Sequence, residues 1–226
     1  MAVTEKPAFN KKLLENIQND LKALAIEARK RHPHLKEAAE SGIIRVQNTV
    51  SRYDDIRLAF LSESPEILEP FFMGCDTKST KIVQMSLTSI QRLITLEAVS
   101  ATAANNIITC LWALMESGTE ELKLLQTVTL LITTNAIVQG ETLAKAIVLC
   151  FRLHFTKNST TNNTASATVR QLVSAVFERI IAEDYSPPEG PSGQNNLHLR
   201  NLKVVAVFHQ NLCLAMLQMV LCCFKI

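Results

Sequence analysis

The sequence predicts an all-α protein of the armadillo/HEAT-like kind, in which helical hairpins stack side by side into an α-solenoid. Apolar residues make up 47% and charged residues 19% of its 226 residues, a balance typical of a folded chain. Apolar positions recur with the α-helical period in almost every segment between residues 13 and 181, and no stretch alternates long enough to predict a strand. The connections between these segments are short, as in hairpins. A plain helical bundle is the alternative.

The first predicted helix carries a narrow apolar seam. Its members step by three and four residues, and they are Leu14, Ile17, Leu21 and Leu24. This is coiled-coil spacing, although two heptads fall short of the three or four that indicate a coiled coil. The seam either packs on the next helix or joins two copies of the chain, so its four residues are candidates for self-association. Pro33 interrupts the pattern, and a second helix is predicted over residues 35–50.

Five further apolar stripes predict the helices that follow. They are Ile82, Leu87, Ile90, Leu93 and Ile94; Ile107, Ile108, Leu111 and Leu114; Leu122, Leu125, Val128 and Ile132; Leu143, Ile147, Cys150 and Phe151; and Val169, Leu172, Val173, Val176 and Phe177. Ser64 precedes a proline as an N-cap would, and Gly118 and Gly140 separate helices. The predicted pairs recur at roughly 36 to 46 residues, close to the interval of HEAT and armadillo units, whose apolar faces only a neighbour can cover.

Composition changes after Asp184 and predicts the end of a helical domain that spans residues 1–184. Residues 185–196 are rich in Pro, Gly and Asn, which predicts a flexible linker, and residues 197–226 form an apolar tail. The tail is long enough to cross a bilayer, but His209, Gln210 and Asn211 would be costly at its centre. We expect the tail not to span a membrane and the domain to fold without it.

The start of the chain predicts a cytosolic protein, because charged side chains interrupt the apolar core that a secretory signal needs. The glycosylation acceptor patterns at Asn158 and Asn162 would then stay unmodified, and they predict a polar loop.

The sequence shows no signature of catalysis: it contains no Gly-x-Ser-x-Gly elbow, no phosphate-binding Gly-rich loop and no His-Glu-x-x-His. Its six cysteines lack the spacing of a zinc site, and His32 and His34 have no acid or cysteine nearby to complete one. We therefore predict a protein that is not an enzyme and has no cofactor or metal.

Positive charge is concentrated in the first quarter of the chain, where residues 1–52 hold ten Lys and Arg against six Asp and Glu. The candidates for contact with an anionic membrane or a partner are Lys11, Lys12, Arg29, Lys30 and Arg31, at about 1 kcal/mol for each basic residue near a lipid surface. Ordinary solvation of these side chains is the alternative. The charge is too sparse to predict nucleic-acid binding.

Several polar and apolar stretches resemble the Mon-two (monensin-sensitivity) protein family. They are PFFMGCDTK at residues 70–78, EELKLLQT at 120–127, KAIVLCFRLHFTK at 145–157 and TNNTASATVRQ at 161–171. The resemblance covers roughly residues 10 to 184 and leaves the tail outside it.

The resemblance implies the family's N-terminal dimerisation and cyclophilin-binding domain, which is shared with the large Arf guanine-nucleotide exchange factors. It implies a scaffold, peripheral on trans-Golgi network and endosome membranes, that acts in vesicle traffic with Dopey-type proteins, flippases and Arf-like GTPases. Members of this type lack the catalytic exchange domain, so the resemblance supplies no catalytic residues. The alternative function is a self-associating structural module.

Overall fold

The computed structural model describes residues 5–53, 55–134, 137–156 and 158–184, and every regular element in these ranges is an α-helix. The predicted all-α class is therefore confirmed. The predicted linker and tail lie outside the described residues. The domain end near Asp184 and the dispensability of the tail stay predictions.

Nine helices occupy the described ranges. They are α1 (Glu5–Ala28), α2 (Pro33–Arg52), α3 (Ile56–Ser62), α4 (Ser64–Cys75), α5 (Thr80–Thr95), α6 (Ala101–Glu116), α7 (Glu121–Thr134), α8 (Gly140–His154) and α9 (Ser159–Asp184). The pairs α4/α5, α6/α7 and α8/α9 begin at Ser64, Ala101 and Gly140, which agrees with the predicted interval. The short helix α3 was not predicted. Its N-cap is Asp55, whose carboxylate accepts from two backbone N–H groups of the first turn.

The described residues divide into two compact units, one up to Ile137 and one from Val138. In the first unit, α2, α4 and α6 lie side by side in one layer, and α1, α5 and α7 lie side by side in the other. The hairpins α1/α2, α4/α5 and α6/α7 connect the layers, which is the stacked-hairpin arrangement that the sequence predicted. In the second unit, α8 packs against α9.

The core of the first unit is built from the predicted apolar stripes. All five predicted residues of α5 and all four of α6 are buried. Burial of each such aliphatic side chain contributes about 1.5–3 kcal/mol. Leu122 is an exception, because it lies in the first turn of α7 and is 40% exposed, whereas Leu124 and Leu125 are buried.

Polar side chains join neighbouring helices within each layer. In the α1/α5/α7 layer, Lys81 pairs with Glu27 of α1, and Arg92 pairs with Asp20 of α1 at 3.1 Å. On its other side, α5 donates from Gln91 Nε2 to a threonine oxygen of α7 at 2.9 Å. Helix α5 is therefore tied to both of its neighbours in the layer.

Ser64 does not have the predicted N-cap role. It is the first residue of α4, and the cap position belongs to Glu63, whose side chain makes no capping bond. The buried Ser64 hydroxyl instead accepts from the backbone N–H of Ser100 at 3.0 Å, at the start of α6. A contact with a residue 36 positions away thus replaces the local cap.

Two helix boundaries follow the predicted glycines, since Gly118 and Gly140 both have a positive φ, which glycine adopts without strain. The predicted polar loop near residues 158–164 is wrong. Helix α9 begins at Ser159, because Asn158 Oδ1 accepts from the N–H groups of Thr160 and Thr161 at 3.0 and 3.1 Å.

Candidate membrane and partner interface

The connection between α1 and α2, residues 29–32, forms a turn that we call the basic turn. Its backbone is closed by bonds from the N–H groups of Arg31 and His32 to the carbonyl of Ala28, at 3.3 and 2.9 Å. Pro33 follows as the first residue of α2, where its fixed φ suits a helix start. Ala28 and Leu35 are buried on either side, so the core and the backbone hold the turn in place.

The basic turn lies against the start of α5 and forms one wall of a groove of about 530 Å³. The groove is lined by Ile26, Glu27, Arg29, Lys30, Arg31, His32, Ser79 and Ile82. Of its two apolar residues, Ile26 is 75% exposed and Ile82 is buried. An apolar side chain and three cations therefore share one recess.

The charges in this groove are unbalanced. Glu27 is the acidic residue of its lining, and Lys81 of α5 pairs with it. Arg29, Lys30 and Arg31 are all exposed, and none of the ion pairs found in the described ranges includes them. The start of α5, with its partial positive charge, lies across the groove. The recess is therefore electropositive and suits an anionic ligand.

The predicted basic residues do not form one cluster. Lys12 is exposed but lies on the opposite end of α1, about 26 Å along the helix axis from Arg29 at 1.5 Å per residue. The side chain of Lys11 lies outside the described residues. Among the predicted basic residues whose side chains the structure describes, Arg29, Lys30 and Arg31 are brought together with an apolar neighbour.

The apolar seam of α1 lies inside the first unit and not on its surface. Ile17 and Leu21 are fully buried, Leu24 is 1% exposed, and Leu14 is half-buried. Helix α1 packs against both α2 and α5, and these contacts take up the seam. Core packing therefore accounts for the buried members of the seam, whereas self-association through these four residues stays a prediction.

A second recess lies between α1 and α5, with a volume of about 160 Å³. Leu24, Phe71 and Met85 form its apolar lining, and Asp20 lies at its edge. Burial raises the pKa of Asp20, while Arg92 and a hydrogen bond from Ser89 oppose that rise. This recess was not predictable from the sequence, because its residues come from three helices.

The buried cysteines are held as thiols. A hydrogen bond with the Cys110 thiol, together with burial, raises the pKa of Cys75 well above its usual range. Burial raises the pKa of Cys150 to about 12. Neither side chain is therefore a thiolate nucleophile at neutral pH.

Two negative findings apply to the described ranges alone. No group of three or more His, Cys, Asp or Glu side chains there is placed to hold a metal ion. None of the helices there combines the length and apolarity that a bilayer crossing requires.

Comparison with known proteins identifies the domain. A sequence model of the family described as "Mon2/Sec7/BIG1-like, dimerisation and cyclophilin-binding domain" (DCB) matches residues 8–184. This range includes most of both units.

Full-length relatives agree with that match. The Protein MON2 homolog of Homo sapiens is 59% identical over 184 residues, which cover 81% of this chain and 11% of that protein. The Protein MON2 homolog of Drosophila melanogaster is 44% identical over 198 residues, covering 82% of this chain and 12% of that protein. The Protein MON2 of Saccharomyces cerevisiae is 23% identical over 171 residues, covering 74% of this chain and 10% of that protein. Since the family match and these similarities extend over the same helices, the chain belongs to the Mon2 family and corresponds to its DCB domain over residues 8–184.

Proposed function

We propose that the chain is a non-catalytic scaffold module in Golgi and endosome vesicle traffic, peripheral on the membranes of these compartments. It acts by offering helical surfaces to protein partners and to an anionic membrane. Membership of the Mon2 family supports the trafficking role, and the stacked helices supply the extended surface that such binding modules use.

The observation that carries the membrane part of the proposal is the charge of the basic turn. Each of six ion pairs in the described ranges gives a cation a carboxylate partner, whereas Arg29, Lys30 and Arg31 are exposed without one. Cations that take no part in the fold are available for an anionic surface, at about 1 kcal/mol each close to the bilayer.

Binding of the full chain to vesicles tests this part. We expect it to bind phosphatidylcholine vesicles that contain phosphatidylserine, and to bind far less when phosphatidylserine is absent. Added salt should weaken the binding steeply, because screening shortens the reach of surface charges. Binding that ignores salt, or no binding by the wild type, would contradict the proposal.

The protein partners follow from the resemblance to the family: Dopey-type proteins, flippases and Arf-like GTPases. Proximity labelling with the full chain in cells tests for them. We expect labelled proteins of Golgi and endosome traffic, against a control variant such as Leu24→Ala whose core is damaged. A label that spreads evenly over cytosolic proteins would count against a trafficking scaffold.

Self-association is the second candidate function, and the dimerisation in the family's description favours it. The burial of Ile17, Leu21 and Leu24 favours a dimer that uses another surface. Analytical ultracentrifugation at micromolar concentration distinguishes a dimer from a monomer. A monomer at every concentration tested would rule this function out.

A further inference from the structure

Ile26 is the most exposed of the large apolar side chains in the described ranges. It is 75% exposed, compared with 62% for Phe155 and 59% for Ile44. Ile26 belongs to the last turn of α1, where Leu24 and Ala28 point into the core and Ile26 points away from it. A single exposed aliphatic residue needs no explanation by itself. Ile26 is of functional interest because it lies beside the basic turn.

The exposed isoleucine and the cations lie within one recess at the end of a helical hairpin. Ile26, Arg29, Lys30 and Arg31 all line the groove that the basic turn forms with the start of α5. Peripheral membrane contacts combine these two kinds of side chain, because the aliphatic group enters the boundary of the acyl chains while the cations bind lipid phosphates.

We propose that Ile26, Arg29, Lys30 and Arg31 form a membrane-docking tip, in which Ile26 inserts into the bilayer interface and the three cations bind anionic headgroups. The tip rests on the proposed function, which requires only that the domain meets an anionic membrane. It adds an apolar anchor and confines the contact to one end of the first hairpin.

A bilayer fits this site better than an acidic peptide does. A peptide that combined acidic and apolar residues would need an apolar pocket in the groove, but the apolar side chains of its lining are the 75% exposed Ile26 and the buried Ile82. An aliphatic side chain that is so exposed is suited to insertion into lipid. The groove beside it leaves room for the phosphates that the cations bind.

The apolar anchor is tested with Ile26→Ser and its matched control, Ile44→Ser. Ile44 is similarly exposed but lies on α2, away from the basic turn. With vesicles of phosphatidylcholine and phosphatidylserine, we expect Ile26→Ser to weaken binding of the full chain about tenfold, since a buried isoleucine is lost from the bound state. Ile44→Ser should bind as the wild type does.

The cations are tested by replacing Arg29, Lys30 and Arg31 together with Gln. Each cation near an anionic surface strengthens binding about fivefold, so we expect this triple variant to bind vesicles about a hundredfold more weakly. The matched control removes the same charge elsewhere, by replacing Lys12, Lys22 and Arg45 with Gln; all three are exposed and none is in the groove. We expect the vesicle affinity of this control to fall only a few-fold.

Insertion has a readout of its own. The Ile26→Trp variant should still bind vesicles, and the fluorescence emission of the new tryptophan should shift to shorter wavelength when it does. The wild type provides the contribution of Trp112 to that emission. Thermal unfolding confirms that each variant is folded before binding is compared.

Three outcomes would overturn the tip. Equal binding by the wild type and Ile26→Ser, with a strong salt dependence, would leave an electrostatic contact and no anchor. Equal losses of vesicle affinity in the two triple variants would mean that binding depends on the net charge of the domain and not on the groove. In the third outcome, the variant with Gln at Arg29, Lys30 and Arg31 would lose binding to polyglutamate but keep its binding to vesicles. That result would assign the groove to acidic peptides. Absence of any vesicle binding by the wild type would instead refute the membrane part of the proposed function.

Discussion

Two turns of the first unit connect helices in different ways. The α6–α7 turn, residues 117–120, adds side-chain bonds to its backbone bonds: Ser117 Oγ donates to the carbonyl of Leu114 at 2.8 Å and lies 2.9 Å from Thr119 Oγ1. Glu120 also accepts from Gln84 of α5 at 2.9 Å. In the basic turn, by contrast, the bonds found in the described ranges are between backbone groups, and the three cations point outward.

The comparison distinguishes side chains that stabilise a turn from side chains that are exposed and free to bind a ligand. The α6–α7 turn uses a hydroxyl group to support its backbone bonds and the Glu120 carboxylate to contact a neighbouring helix. The basic turn depends on the buried Ala28 and Leu35 beneath it, so its charged side chains are not needed for folding. Charged side chains that do not stabilise the turn are therefore candidates for binding a ligand.

The largest expected effect comes from removing the core beneath the basic turn. Leu24→Ala should lower the free energy of unfolding by about 2–5 kcal/mol, because Leu24 is 1% exposed and its loss leaves a cavity. Urea denaturation measures the change. Leu122→Ala, at a position that is 40% exposed, is the matched control and should cost far less. Similar losses in the two variants would show that the face of α1 is misassigned.

A smaller effect is expected at the glycine of the α6–α7 turn. Gly118 has a φ of +65°, and an added Cβ would meet no atom within 4 Å, so backbone strain alone opposes a side chain there. Gly118→Ala should cost about 1–2 kcal/mol. Gly118→Asn should cost less, since Asn tolerates this conformation. Equal stability of wild type and Gly118→Ala in thermal unfolding would argue against the positive φ.

The hydroxyl of Ser117 contributes less again. Ser117→Ala removes its bond to the Leu114 carbonyl and its contact with Thr119. The position is exposed and water replaces part of what is lost, so we expect a cost of about 0.5–1 kcal/mol. Denaturant titration resolves a change of this size. A larger cost would mean that the turn is more deeply involved in folding.

The smallest effect on stability is expected in the basic turn itself. Replacing Arg29, Lys30 and Arg31 with Gln should change the unfolding free energy by less than about 0.5 kcal/mol, as for exposed residues without partners. Matched melting curves of this variant and the wild type measure it. A strong destabilisation would remove the contrast between the two turns.

Local signals predicted most of the helices, because hydrophobic periodicity is a property of the sequence alone. The stripe of α5 is buried as predicted, and Gly118 and Gly140 mark helix boundaries. Contacts between distant residues were not predictable in this way. Ser64 resembles a cap, but its hydroxyl is taken by Ser100 of another helix.

The candidate site was predicted in part. The consecutive basic residues of the turn are visible in the sequence, whereas the exposure of Ile26 depends on which side of α1 meets α2 and α5. The same orientation buries Ile17 and Leu21, so the heptad spacing could not distinguish core packing from self-association. The basic candidates Lys12 and Arg29 stand toward opposite ends of the first predicted helix, and α1 keeps them apart.

The length of α1 also sets how a bound domain would be oriented. Its 24 residues extend about 36 Å at 1.5 Å per residue, and the basic turn occupies one end. The field of a charged bilayer decays over a Debye length of about 8 Å at physiological salt. A domain held by that end with α1 along the bilayer normal would keep Lys12 beyond the reach of the lipid charge. The exposed sides of α5 and α7 would then stand clear of the bilayer, and a second protein could approach them while the first contact is kept.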